Sequence, residues 1–347
     1  VPEESTQLRI GPPVAVLCPV GLGPDVLARI AEAGLHPIPL AGLSGSSDQD
    51  RLLVEVAALA CDAALLVLPA AVGLDTGSTQ VWLRLAELRL PRAVLVTGLG
   101  SDTVDIEECA AIVTRVLEDE VIVPALPVLD DDERPVASMD LLTLEISTPD
   151  STYPGDPDHL AAAATARSNA TEAILVVTND DELLDHGLVG LVPAPERLAA
   201  SLQRSVREGD LVPVIPDTPD RAPAATLARW WSRLAFDPAR LLPIGISHDD
   251  AHVQREGRSL EAVILKVDGP TATARALFGR PRTGPAFLTM PGTDASGPHP
   301  DRAWPTWIEL PEDADPPPDG TFVVTLPLRS RPGETLCAGD EPAWLVP

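Results

Sequence analysis

Over its first two thirds the chain alternates short unbroken apolar runs with longer stretches in which apolar residues recur every three or four positions. Val14 to Cys18, Ala63 to Leu68, Ala93 to Thr97 and Leu211 to Ile215 are of the first kind, the pattern of strands buried on both faces. Asp25 to Gly34, Arg51 to Ala60, Thr79 to Leu88, Val104 to Leu117, Leu160 to Leu184, Ala194 to Glu208 and Ala224 to Phe236 are of the second kind and predict helices. Gly34 stops the first helix, Pro91 closes the third, and Pro223 precedes the last, where a missing N–H costs nothing. Val121 to Val128 and Leu141 to Ile146 read as further strands, with Asp130 to Pro135 an acidic turn between them. Gly42 to Asp50 and Ser147 to Asp158 read as loops. Strands alternating with helices in this way predict an α/β fold, a parallel sheet with helices on both faces.

Beyond Leu241 the pattern changes. Short alternating runs, Leu260 to Val267, Thr271 to Leu277, Trp304 to Glu309 and Thr321 to Leu326, are separated by Gly and Pro and predict a small β-barrel. The expected division is residues 1–238 and 239–347.

The first strand, turn and helix, VAVLCPVGLGPDVLAR from Val14 to Arg29, reads like a phosphate-binding loop stripped of its phosphate chemistry. Such a loop has the form G-x-x-x-x-G-K-[ST], with backbone N–H groups and the lysine on phosphate and the hydroxyl on magnesium. Gly21 and Gly23 keep the turn, but Pro24 stands where the lysine belongs and Asp25 where the hydroxyl belongs. A carboxylate ~4 Å from a phosphate charge costs roughly 4 kcal/mol at an effective dielectric of ~20. This argues against tight nucleotide binding.

The 347 residues provide ample chain for a core. Only 3% are aromatic, so that core must rest on Leu, Val, Ile and Ala. With 52 acidic against 25 basic residues, the formal net charge is −27. That field disfavours direct contact with nucleic acid or anionic lipid, where binding relies on Lys and Arg neutralising phosphate. A basic protein partner suits it, and so does plain solubility. The one lysine is Lys266, which excludes lysine chemistry elsewhere.

Cys18, Cys61, Cys109 and Cys337 form no C-x-x-C pair, and the three that lie in or beside apolar runs read as buried thiols. No leader pattern opens the chain and no apolar run approaches ~18 residues, so the expected setting is cytoplasmic, with no membrane contact. Asn169-Ala170-Thr171 is then an incidental glycosylation sequon.

Other candidate sites are weighed against simpler readings. His248 and His252 have the H-x-x-x-H spacing that serves a metal on a helix, but they fall in a connection without an evident third ligand and read as loop. Gly42 to Ser46 glances at the G-x-S-x-G elbow, without its last glycine or its preceding strand. The acidic runs Asp130 to Glu133 and Asp180 to Asp185 lack calcium-loop spacing and read as solvated turns and helix faces. Asn179 follows an apolar stretch but belongs to a helix context rather than a base-reading loop. Trp230 and Trp231 could form a docking surface, since neighbours on a helix diverge, with at least one expected in the core. No catalytic residue and no metal ligand is assigned.

Taken together, several segments resemble the elongation factor G-like translational GTPases of bacteria. The stretch CDAALLVLPAAVGLDTGSTQVWLRLAELRLPRAVLVTGLG, Cys61 to Gly100, is similar to the family's D-G-A, strand, V-x-G-V-x-x-x-T, Trp-bearing helix and L-P-R, carried here by Trp82 and Leu90-Pro91-Arg92. Val206 to Val214, VREGDLVPV, is similar to V-R-x-G-x-x-x-P-V, and Gly333 to Cys337, GETLC, to the closing of the family's second domain, a β-barrel. The resemblance spans nearly the whole chain and implies a P-loop-GTPase-like sheet followed by that barrel. It implies ligand positions too, and these depart from the family. The guanine-reading N-K-x-D or T-K-x-D is replaced by Thr97, Gly98, Leu99 and Gly100. Leu43 to Ser47 stands where D-x-P-G-H belongs, residues 35–60 are too few for both switch segments, and the last loop reads Asp217-Thr218-Pro219. The family's later domains would follow Pro347, so translocation is not expected.

The leading expectation is a catalytically inactive pseudo-GTPase, without cofactor, that binds or scaffolds a protein partner. The alternative is a divergent GTP- and Mg²⁺-binding relative using Arg29 or Arg51 for phosphate, or retaining ribosome contact through the barrel, which the net charge of −27 disfavours.

Overall fold

In the computed structural model, the residues described are 13–19, 24–40, 48–99, 105–117, 120–130, 132, 134–148, 150–178, 180–188, 193–217, 223–234, 246–248, 251–252, 261–268, 271–278, 284–289, 303–308, 310, 321–325, 335–337 and 344–345. Along the first part they form β1 (Pro13–Leu17), α1 (Pro24–Glu32), β2 (His36–Pro39), α2 (Asp48–Ala60), β3 (Ala63–Pro69), α3 (Thr76–Glu87), β4 (Arg92–Thr97), α4 (Ile106–Leu117) and β5 (Val121–Ile122). Next come β6 (Ala125–Leu129), β7 (Pro135–Asp140), β8 (Glu145–Ser147), β9 (Thr152–Pro154), α5 (Pro157–Val177), α6 (Asp181–Leu188), α7 (Pro195–Glu208), β10 (Val212–Pro216) and α8 (Pro223–Leu234).

Six of these strands make one sheet in the order β2-β1-β3-β4-β10-β5. The pairs β1/β3, β3/β4, β4/β10 and β10/β5 are all parallel. The apolar runs are explained by burial on both faces. Val14, Val16, Leu65, Val67, Ala93 and Leu95 share one core with Ile30 of α1 and Trp230 of α8, while the alternate residues Leu17, Leu66, Leu68, Val94 and Val96 are equally buried outside it. Two helix sets supply this cover: α1, α8, α7 and α5 pack in succession, and α3 packs on α4.

Between β5 and α5 lies a four-stranded antiparallel sheet, β6-β7-β8-β9. Here the strands differ from those expected. The run 121–128 is broken at Val123-Pro124, Leu141 to Thr143 is a turn, and strands occupy 135–140, 145–147 and 152–154, the last inside an expected loop. The expected helix 160–184 is likewise two, because Thr178 turns extended and its hydroxyl meets Ser201 at 2.8 Å, while Asp180 accepts the Leu183 N–H.

Later strands are β11 (Ile246–His248), β12 (Ala251–His252), β13 (Glu261–Asp268), β14 (Thr271–Phe278), β15 (Gly284–Thr289), β16 (Ala303–Ile308), β17 (Thr321–Thr325), β18 (Thr335–Cys337) and β19 (Trp344–Leu345). They form a six-stranded sheet, β16-β15-β18-β13-β14-β17, with antiparallel pairings, and a three-stranded one, β12-β11-β19. The chain divides into two compact units, one of residues 14–44 and 62–237, the other of 1–13, 45–61 and 238–347. Helix α2 thus belongs with the later strands, where it packs against β13.

Gly209 closes α7 in the left-handed region, φ +82°, with its N–H on the Ser205 and Val206 carbonyls. A side chain there strains the backbone whatever the space around it. Gly209→Ala is therefore expected to cost about 1–2 kcal/mol, seen in urea unfolding as a lower midpoint with an unchanged slope.

Candidate functional site

An open parallel sheet binds ligands beyond the carboxyl ends of its strands, at the point where strand order reverses. Here the chain leaves β1 toward β2 on one side and β3 on the other, so that point lies over β1 and β3, with the ends of β4 and β10 beside it. The expected phosphate loop and base loop both fall at this edge. Backbone bonds lace it together: Ala70 donates to the Thr97 carbonyl at 2.9 Å and Asp217 to the Val96 carbonyl at 2.8 Å.

Pro24 and Asp25 are the first two residues of α1 and both are exposed. Pro24 brings no N–H to this helix start, and Asp25 places a carboxylate on the end of the dipole that would otherwise attract an anion. Gly21, Gly23 and Gly100 lie outside the described residues. Thr97 ends β4 half-buried, Gly98 turns the chain at φ +73°, and Leu99 is buried. Gly98 thus brings no side chain where the motif has its lysine, and Leu99 is buried at the motif's unspecified position. Asp75 caps α3, its carboxylate accepting the Ser78 N–H at 2.9 Å and the Ser78 hydroxyl at 2.8 Å.

An ion pair at this edge was not legible in the sequence. Arg29, on the last turn of α1, donates to the Asp217 carboxylate at the end of β10, 2.5 Å away across 188 positions. Asp217 is only 7% exposed, and its burial raises its pKa above the usual carboxylate value while Arg29 pulls it back down. The one described arginine of α1 is thereby committed to a protein carboxylate. Arg51 is exposed on α2, in the other compact unit.

At the opposite edge of the sheet the segments that resemble the GTPase family meet. Arg92 opens β4 buried, its guanidinium 5.2 Å from the Trp82 ring centroid and its Nη2 donating to the Gly209 carbonyl at 3.4 Å. Trp82 comes from the Trp-bearing helix, Arg92 from L-P-R, and Gly209 from V-R-x-G; all three hold one corner of the core.

Other sequence candidates resolve as follows. Among the described residues, no group of three or more His, Cys, Asp or Glu could hold a metal. His248 and His252 lie on the β11–β12 ribbon, whose register pairs Ser247 with His252 and His248 with Ala251, so helical spacing does not apply. Asp130 accepts the N–H groups of Asp132 and Arg134 in the β6–β7 turn, both at 2.9 Å. Asp180 is gripped by Arg197 through two bonds, which with the Leu183 N–H lower its pKa. Trp230 and Trp231 are both buried, against the expectation that one points away, because α8 packs on α1 and on α7. Cys18, Cys61 and Cys109 are buried, and burial pushes the Cys109 thiol up to about 11. Gly42 to Ser46 and Asn179 lie outside the described residues. No described helix is long and apolar enough to cross a membrane.

No family model and no curated protein matches the chain. Among solved structures, it is similar to the crystal structure of ttk003000868 from Thermus thermophilus, with a TM-score of 0.63 and 17% identity over 96% of this chain. The likeness is one of fold: a parallel six-stranded sheet flanked by helices, consistent with a P-loop-like fold. The chain spans 55% of that protein's length.

The Arg29–Asp217 pair gives an asymmetric prediction. Arg29→Ala leaves a buried carboxylate alone, at a cost of about 3 kcal/mol near neutral pH. Asp217→Asn leaves Arg29, whose side chain is 30% exposed and still hydrated, and costs less than half as much. Because the folded pKa of Asp217 is raised, the folded state holds its proton where the unfolded chain has lost it. Its ionised form works against folding, fully so above the folded pKa and not at all below the ordinary value of 3.8. The deficit of Arg29→Ala against wild type should therefore shrink as pH falls, as urea unfolding of both at neutral and mildly acidic pH will show.

Proposed function

We propose that this chain is a catalytically inactive pseudo-GTPase, an elongation factor G-like G domain (1–238) followed by a domain II-like β-barrel (239–347), which works in the cytoplasm as a protein-binding or scaffolding module. The observation that carries the reading is where resemblance and departure fall on one sheet. The retained residues Trp82, Arg92 and Gly209 pack at the amino edge of the strands, where they serve stability. The departures among the described residues, Pro24, Asp25, Gly98 and Asp217, all stand at the carboxyl edge, where ligands are bound.

The described residues do not fit a magnesium nucleotide. Asp25 opposes phosphate, Gly98 stands where the base-packing lysine belongs, and Arg29 is held by Asp217. Among the described residues, this edge holds no cluster of three metal ligands and the arginine of α1 is engaged, so these residues do not themselves supply the electrostatic stabilisation on which phosphoryl transfer depends. The divergent-GTPase alternative loses support on the same ground, since Arg29 is engaged. An acidic surface of net charge −27 supports a basic protein partner over nucleic acid, membrane or ribosomal RNA.

Titration calorimetry with GTP and with GDP, each with Mg²⁺, tests the reading. No saturable heat is expected; magnesium-dependent binding at micromolar or tighter affinity would overturn it.

A further inference from the structure

Strand β9 is the last in its sheet, paired on one side by β8. Its residues Thr152, Tyr153 and Pro154 are all exposed, and Tyr153, the single tyrosine of the chain, is 45% exposed. The backbone pattern shows what the outer edge offers. Thr148 donates to the Ser151 carbonyl at 2.9 Å and Gly155 to the Leu144 carbonyl at 3.0 Å, so by alternation Tyr153 faces β8 with its backbone groups while Thr152 and Pro154 turn theirs outward. Pro154 has no N–H, which leaves two outward carbonyls against one outward N–H. The edge is thus rich in acceptors.

The stretch of chain around β9 is acidic. From Pro135 to Ala166 the sequence carries no lysine or arginine, and Glu145, Asp150 and Asp158 are exposed around β9, while Asp156 caps α5 and pairs with His159, and Arg229 reaches the sheet at Ser138 of β7. An exposed aromatic ring, outward carbonyls and carboxylates on both flanks call for one chemistry in a partner, a donor-rich cation. We infer that the outer edge of β9 is a docking strand for an extended, arginine-bearing segment of a basic protein. The guanidinium groups stack on the Tyr153 ring and donate to the carbonyls and carboxylates, while the partner's backbone pairs with Thr152. Three residues with one proline make too short an edge for indiscriminate strand pairing, so charge and the ring supply the selection. This inference rests on the reading of the chain as a protein-binding module.

The test uses a labelled, end-blocked peptide alternating Arg and Val, followed by fluorescence anisotropy against the full chain at low salt. Saturable binding is expected, weakened about fivefold by Tyr153→Ala and further by Glu145→Gln with Asp150→Asn. Glu107→Gln with Glu108→Gln on α4, the same loss of charge elsewhere, should leave it unchanged. Hydrogen exchange at the Thr152 amide should slow when the peptide is bound. Absence of binding overturns the inference, as does equal weakening by the β9 and α4 charge variants or an affinity indifferent to Tyr153→Ala. None of these outcomes bears on nucleotide binding, so the docking strand can fail while the pseudo-GTPase reading stands.

Discussion

A guanidinium buried at the start of β4 ties the parallel sheet to its helices. Arg92 is 4% exposed, and a charge so placed is tolerable only when its environment replaces water. The Trp82 ring and the Gly209 carbonyl do part of this, and each enforces something more. Trp82 holds α3 against the sheet. Gly209 ends α7 in a conformation that suits glycine and delivers the chain into β10, the neighbour of β4. The same corner brings the Ala64 N–H onto the Pro91 carbonyl, setting β3 against β4.

From this corner the sheet runs toward an edge where the chemistry is of another kind. Asp25 stands exposed there, Asp75 is satisfied within the protein, and the one described cation of α1 closes onto Asp217. An ion pair in which one member is nearly buried adds little net stability, because desolvation offsets attraction. What it does add is direction, since α1 is fixed to the end of β10. The two edges differ in what their residues are asked to do, stability at one and closure at the other.

Much of the parallel sheet was legible because strands covered on both faces must be apolar throughout, as Val14 to Leu17 and Ala63 to Leu68 are. Strands β2 and β9 were not, since Pro37, Pro39 and Pro154 argue against strand in sequence yet are tolerated at the outermost positions that both occupy. The break at Thr178 depends on Ser201, and the grouping of α2 with the later strands depends on β13, so neither has a local signal. At the candidate site, the substitutions at Pro24, Asp25 and Gly98 could be read directly. The Arg29–Asp217 pair could not, since a single arginine and a single aspartate so far apart in sequence become partners only through the fold.

Whether the carboxyl edge of this sheet holds a nucleotide is the question on which the pseudo-GTPase reading turns. Hydrogen exchange along the chain, with and without millimolar GTP and Mg²⁺, addresses that edge directly. Unchanged exchange is expected in α1, in Thr97 to Leu99 and at Asp217; slowed exchange confined to those segments would contradict the reading.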